Sequence, residues 1–325
     1  MLNSLFSQML PRGQTTEGNL SSVVAFVLLG FSDLPPNIQG FLFGIFFLIY
    51  MSILIGNGLI IIITRVDSVL QTPMYFFIAN FSSLEICYVS VTLPRILVNL
   101  WTQDRSISWL GCATQMCFFL MLGATECFLL AVMAYDRYVA ICNPLHYPLI
   151  MNHKMCAQLA AGAWLSGIPV QIGQTCQVFS LPFCGSNQIN HFFCDIPPLI
   201  KLACGDTSLN EMCVFVVAIL FVMIPFLFIL GSYVKIISTI LKLSSARGRS
   251  KAFSTCSSHI IVVLLFFGSA TITYLRPKSI HSARTDKMLS LFYTIVTPMF
   301  NPLIYSLRNK DVITALKKLL FKKTV

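Results

Sequence analysis

Charged and titratable side chains are rare in this chain, so the few that interrupt its apolar stretches are the first candidates for chemistry. In MAYDRYVAICNPLHYP (133–148) an acid and a base, Asp136 and Arg137, follow directly on a long apolar run. At a helix end such a pair can hold itself locally until a partner competes for one member. Glu85 and Glu126 each stand alone inside an otherwise uncharged stretch. An ionisable group at bilayer depth costs several kcal/mol and marks a functional position by default. His259 lies in a further uncharged window with no evident metal partner beside it. No nucleophile and base stand together in a catalytic pattern, so these residues do not describe an enzyme.

The elements that must position them have the composition of membrane spans. The chain has 325 residues, 56% of them hydrophobic and only 10% charged, with a mean hydropathy of +0.78. Soluble domains carry about 25% charged residues. Windows with at most one charge run from Asp33 to Arg65, Asp67 to Arg95, Arg105 to Asp136, Lys154 to Asp195, Glu211 to Lys235, Lys251 to Arg276 and Lys287 to Arg308. A helix needs about 20 mostly apolar residues to cross the hydrocarbon, and each window holds one, the first around residues 41–64. The longer Lys154 to Asp195 window turns to loop at Pro182, Gly185 and residues 187–190.

The expectation is an all-α membrane protein with a seven-helix bundle over residues 41–307. A tail over 1–40 precedes it, and a tail over 308–325 follows. In that second tail KDVITALKKLLFKK puts Val312, Leu316, Leu319 and Leu320 along one face, which reads as a short helix lying on the inner leaflet. Lone prolines at 94, 169, 225, 298 and 302 fall inside or near the ends of spans, where neighbouring helices tolerate them. The first 20 residues carry Arg12 and Glu17 and lack a sustained apolar core, so the first span is expected to serve as its own targeting signal.

Threading the spans alternately puts 14 of the 22 Lys and Arg on the side of the C-terminus. Positive residues stay in the cytoplasm, so the C-terminus is expected inside the plasma membrane and the N-terminus outside. Asn19, in Asn19-Leu20-Ser21, then lies outside as a candidate glycosylation site. A second sequon at Asn80 falls inside span two and is not expected to be modified. The net charge of +10 reflects this sidedness and contact with inner-leaflet lipids; nothing calls for nucleic acid.

Most of the 12 cysteines fall within spans, where a thiol is ordinarily packing. Cys112 sits at the outer start of span three, while Cys184, Cys194 and Cys204 are spaced by ten along the outer loop after span four. The outer face is oxidising, so disulfides are expected. Sequence does not fix the connectivity; the preferred pairing is Cys112–Cys194 with Cys184–Cys204. The alternative is a zinc site at His191 and Cys194, although no paired CxxC pattern supports it.

Taken together, MAYDRYVAICNPLHYP (133–148), KAFSTCSSH (251–259), PMFNPLIYSLRN (298–309), PMYFFIANFSSLEICY (73–88) and Gly56-Asn57 resemble the olfactory receptors of the rhodopsin-like G-protein-coupled class, in their tetrapod-type branch. The match runs from about Phe31 to Lys318. The resemblance implies a function: an odorant receptor that binds small, mostly apolar volatiles within the bundle and activates a stimulatory, olfactory-type heterotrimeric G protein to raise cAMP. It gives Asp136-Arg137-Tyr138 the role of activation switch. Arg137 is released when span six moves outward, and Tyr233 and Tyr305 turn inward to hold the opened state. Asn301 and Pro302 belong to the same span-seven string, and His259 is expected to help lock the idle state, with plain helix packing the alternative.

The resemblance also implies a sodium ion as allosteric modulator, held by Glu85 and Glu126, with no other cofactor required. The family more often has Asp where Glu85 stands, so the ion geometry is expected to differ. Its ligand pocket maps onto Met116, Phe119, Leu120, Gly123, Ala124, Ile196, Val217, Ala218, Phe221, Phe267, Ala270, Thr271 and Tyr274. That set is almost wholly apolar, with hydroxyls only at Thr271 and Tyr274, the profile of a pocket for a small volatile with one oxygen function. Phe119 occupies the position where amine receptors of this class carry aspartate, which argues against an amine ligand. Within the receptor reading the alternative ligand is an endogenous metabolite or fatty acid outside the nose. A small-solute transporter is the rival of another class, but no repeat relates the two halves.

Overall fold

The computed structural model describes residues 25–102, 104–184, 186–242, 245–275, 283–307 and 310–321. Asn19 lies outside the described residues. Five described helices are each long and apolar enough to cross a membrane: Pro36–Val66, Pro73–Thr102, Trp109–Cys142, Ser208–Leu241 and Cys256–Tyr274. They are spans one, two, three, five and six, the sixth continuing a helix that starts at Ala246. Span four is two shorter helices, His153–Ser166 and Ile168–Phe179. Span seven joins Ala283–Leu291, a π turn at Phe292–Val296, and Thr297–Leu307.

Local chemistry sets the ends. Span one begins at Pro36, earlier than the charge pattern suggests, because a proline costs nothing in the first helical turn, where its missing N–H would have no partner. Ser108 caps span three by accepting from the Gly111 amide at 3.0 Å, and Asn152 caps span four by accepting from Met155 at 3.0 Å. Span four is interrupted at Gly167, followed by Pro169 in the first turn of its outer half. Spans two and three form the buried centre, whereas Phe41, Leu48 and Ile55 of span one and Leu227 and Val234 of span five are exposed. In a bilayer those side chains meet lipid. Trp164 donates its indole N–H to Asn80 Oδ1 at 3.3 Å, so the second sequon is committed to holding span four against span two.

The helix after span seven, Lys310–Phe321, buries Val312 and Ala315 and brings Lys318 Nζ to 3.4 Å from Asp67 Oδ2. The side chains of Leu319 and Leu320 lie outside the described residues.

The end of the bundle at which span three begins carries a cap. Strand β1 (Ala25–Leu28) runs between β2 (Ser106–Ser108), antiparallel, and β3 (Gln188–Ile189), parallel. Phe26 and Leu28 are fully buried beneath it. Cys112 is bonded to Cys194 and Cys184 to Cys204, with Cα separations of 5.4 and 5.8 Å. Cys194 is therefore not a zinc ligand. Gln115 reinforces the first bridge: its Oε1 accepts from the Cys194 amide and its Nε2 donates to the Val91 carbonyl, both at 3.0 Å.

Next to that bridge Asp195 is buried. It caps the short helix Ile196–Ile200, accepting from the Ile196 amide at 2.8 Å, and accepts from the hydroxyls of Tyr274 at 3.1 Å and Tyr293 at 3.2 Å. Burial is the largest influence on its carboxyl, which is pushed up from 3.8 to about 6 although the hydrogen bonds oppose the rise. His191, also buried, with its Nδ1 3.1 Å from the Phe193 carbonyl, is pushed down from 6.5 to about 4, again chiefly by burial. Asp286, Lys201 and Lys287 are the other charges that act on this pair. The two effects have opposite signs. Between about 6 and 3.8 the folded chain holds a proton on Asp195 that the unfolded chain has lost, so stability rises as pH falls. Between 6.5 and about 4 the unfolded chain holds a proton on His191 that the folded chain lacks, so stability falls as pH falls. Thermal unfolding of the purified protein from pH 7 to 4.5 is therefore expected to be nearly flat. Asp195→Asn should expose a loss of stability toward acid, and His191→Gln a gain. Equal slopes in all three proteins would refute the pairing.

Candidate functional site

Under the cap, between spans two to seven, lies a cavity of about 90 Å³. Span three contributes Phe119, Leu120, Gly123, Ala124 and Cys127; the loop contributes Ile196; span five contributes Val214, Val217, Ala218, Phe221 and Val222. Span six adds Phe266, Ser269, Ala270 and Tyr274, while Tyr88, Gln171, Gln174 and Tyr293 come from spans two, four and seven. Ten of the sequence-derived pocket residues line it: Phe119, Leu120, Gly123, Ala124, Ile196, Val217, Ala218, Phe221, Ala270 and Tyr274.

Met116, Phe267 and Thr271 do not line it. Met116 points along the same face of span three but is fully buried in the core of the cap with Cys112, Cys194 and Ile196, above the cavity. On span six the stripe Phe266, Ala270, Tyr274, spaced by four, faces the cavity. Phe267 and Thr271 are one residue further round the helix. Phe267 stacks on Phe226 of span five, with ring centroids 5.2 Å apart.

The lining is also more polar than the sequence suggests. Tyr274 commits its hydroxyl to Asp195, as does Tyr293, and Ser269 donates to the Phe266 carbonyl at 2.8 Å. The carboxamides of Gln171 and Gln174, within an uncharged span, are the polar groups that sequence analysis missed; two amides one helical turn apart in an apolar window were the available signal. They reach the cavity because span four approaches span three closely at Gly167, where a Cβ would come within 2.8 Å of the Ala124 Cβ. Phe119 sits in an aromatic cluster, 5.3 Å from Tyr88, 4.8 Å from Phe193 and 6.0 Å from Tyr293 between ring centroids.

Deeper in the bundle, Glu85 and Glu126 are both buried, and Asn301 donates its Nδ2 to Glu85 Oε1. Glu85 Oε2, Glu126 Oε1, Asn301 Oδ1 and Thr297 Oγ1 are buried side-chain oxygens with no hydrogen-bond partner among the described residues. Such orphans are costly, and a set made only of oxygens is the donor type that hard cations take.

At the opposite end from the cap, Asp136 accepts from the Tyr147 hydroxyl at 2.8 Å, and both Asp136 and Arg137 are buried. Tyr147 belongs to the short helix Tyr147–Ile150 that follows span three. Tyr233 of span five meets His259 Nδ1 of span six at 2.7 Å, and both are buried. Tyr138 is half-buried and stacks with Tyr135, with centroids 6.5 Å apart. The side chains of Pro302 and Tyr305 lie outside the described residues.

A sequence model described as olfactory receptor matches residues 46–323. Olfactory receptor 10AG1 of Homo sapiens is 64% identical over 297 residues, covering 91% of this chain and 98% of its own length. Human olfactory receptors 10A5 and 10A4 are 55% and 56% identical, each over 94% of this chain and 96% of theirs. The capped seven-span bundle, its cavity and the acidic and basic side chains buried along it are thus those of a plasma-membrane, multi-pass receptor without enzymatic activity, and the chain belongs to the olfactory receptor family of G-protein-coupled receptors.

Proposed function

We propose that this olfactory receptor takes a small, neutral, mostly apolar odorant into the cavity beneath the cap and couples to a stimulatory G protein of the olfactory type. The observation that carries the ligand reading is the lining itself: apolar walls from spans three, five and six, a few polar groups, and no cationic side chain among the described lining residues. An ionised fatty acid finds no partner there, and Phe119 offers an ammonium no carboxylate. Binding closes against Ile196, which follows Asp195 in the loop and faces spans three, five and six.

The signalling end is expected to work by exchange of partners. In the idle form Tyr147 holds Asp136, and the Tyr233–His259 hydrogen bond ties spans five and six together. Outward movement of span six must break the latter, freeing Tyr233 and opening the face where Arg137 lies. The excess of Lys and Arg on the C-terminal side supports an orientation with that face in the cytoplasm, where the Lys310–Phe321 helix rests on the inner leaflet. Arg137→Ala should leave surface expression measurable and abolish ligand-driven cAMP in cells co-expressing the olfactory stimulatory G protein, screened with aliphatic alcohols, aldehydes, esters and simple aromatics. An unchanged response would remove Arg137 from the switch.

We also propose a sodium ion between spans two, three and seven. Glu85 and Glu126 would supply its charge-balancing oxygens, Thr297 and Asn301 its neutral ones, and the ion would neutralise two acids that otherwise repel. Replacing choline chloride with sodium chloride at constant ionic strength should raise the unfolding temperature of the purified receptor by a few degrees. Glu85→Gln and Glu126→Gln should each erase that difference. A sodium effect that survives both substitutions would place the ion elsewhere.

A further inference from the structure

Gln171 and Gln174 are only 4% and 7% exposed, both line the cavity, and Gln171 Oε1 and Gln174 Nε2 have no hydrogen-bond partner among the described residues. Their neighbour Thr175 turns inward on its own helix, donating to the Gln171 carbonyl at 2.8 Å, so it satisfies neither amide. Three hydroxyls of the same wall, on Tyr274, Tyr293 and Ser269, are already committed elsewhere. An acceptor and a donor are therefore left unmatched one turn apart on span four, on a wall whose other polar groups are the Tyr88 hydroxyl, the Cys127 thiol and the three committed hydroxyls. Leaving a buried polar group unmatched costs about 1–3 kcal/mol. With Gln171 presenting its oxygen and Gln174 its nitrogen, or with both amides turned over together, the pair offers one acceptor and one donor.

We propose that Gln171 and Gln174 form the polar anchor of the ligand cavity and select neutral ligands bearing a hydroxyl, an alcohol or a phenol. This rests on the reading of the cavity as the odorant site. A hydroxyl donates through its O–H to one amide oxygen and accepts, through the same oxygen, from the other amide nitrogen. An ether, ester or ketone only accepts, which leaves Gln171 Oε1 desolvated and unmatched. A hydrocarbon answers neither amide. The carbon skeleton then extends toward Phe221 and Val217 of span five and Phe266 and Ala270 of span six. A site built to hydrogen-bond a hydroxyl discriminates against analogues that lack it because its own polar groups are stranded.

The test is direct binding, read as thermal stabilisation of the purified receptor titrated with 1-hexanol and 2-phenylethanol, their methyl ethers, and n-heptane. In the wild type each alcohol should bind about tenfold more tightly than its methyl ether, the equivalent of one satisfied hydrogen bond. Gln171→Met and Gln174→Met, near in size and without the amide, should each narrow that ratio to about twofold while the ether still binds. If a Met variant does not fold, Gln171→Asn, which withdraws the amide by one methylene, should show the same narrowing. An alcohol preference that persists in these variants overturns the anchor, as does a wild type that binds alcohol and ether equally or binds none of the panel. A cAMP assay on the same alcohols separates the two readings. Selective binding without cAMP counts against the coupling and leaves the anchor standing; cAMP responses with an unaltered alcohol-to-ether ratio in the variants count against the anchor alone.

Discussion

The bond between Cys112 and Cys194 is the constraint on which the outer half of this receptor depends. Cys112 stands in the first turn of span three, so the bridge fixes a point in the long loop after span four to one of the two most buried helices of the bundle. Gln115, one turn further in, takes the neighbouring amide and ties the same point to span two. With Cys194 held, Asp195 and Ile196 have no choice but to enter the bundle. Asp195 then gathers the hydroxyls of Tyr274 and Tyr293 from spans six and seven, and Ile196 becomes a wall of the cavity. A single covalent bond thus converts a loop into a lid whose polar groups reach three elements.

Span three carries these consequences down through the membrane. The cap bridge, the cavity wall from Phe119 to Cys127, the buried acid at Glu126 and the Asp136-Arg137 pair all lie along one helix, Trp109–Cys142. Glu126 stands ten residues before Asp136, about 15 Å at 1.5 Å per residue. The cavity and the Asp136-Arg137 pair are therefore joined by one continuous helix, while spans five and six meet at the Tyr233–His259 hydrogen bond.

The interruptions in the helices fall where the site needs them. Gly167 and Pro169 break span four at the level where its outer half must lean on Ala124 to bring two amides into the cavity. Spans five and seven each contain one π turn, Ile219–Met223 and Phe292–Val296. The first presents Phe221 and Val222 to the cavity, and the second presents Tyr293 to both the cavity and Asp195. An extra residue per turn rotates the side chains that follow it, which is why such turns gather at functional sites.

How much was legible beforehand follows from what each signal depends on. Lipid imposes its demand locally, stretch by stretch, so the sequence alone determined seven apolar windows, the lone acids within them, the charge pair closing span three and the family strings around it. Most of the cavity wall on spans three and five was legible through the family resemblance, which maps residues such as Leu120, Ala124 and Ala218 by matching position. What the strings could not decide is rotation and depth. A residue on a helix turns by about 100° from its neighbour, so Phe266 rather than Phe267 faces the ligand space only because Phe226 of another span takes the adjacent ring. Met116 leaves the cavity because a loop from elsewhere in the chain closes above it. The partners of Asp195, the orphaned oxygens around Glu85 and the approach of Gln171 and Gln174 all join residues far apart in sequence. Those pairings exist only once the helices pack, and only the tertiary structure could decide them.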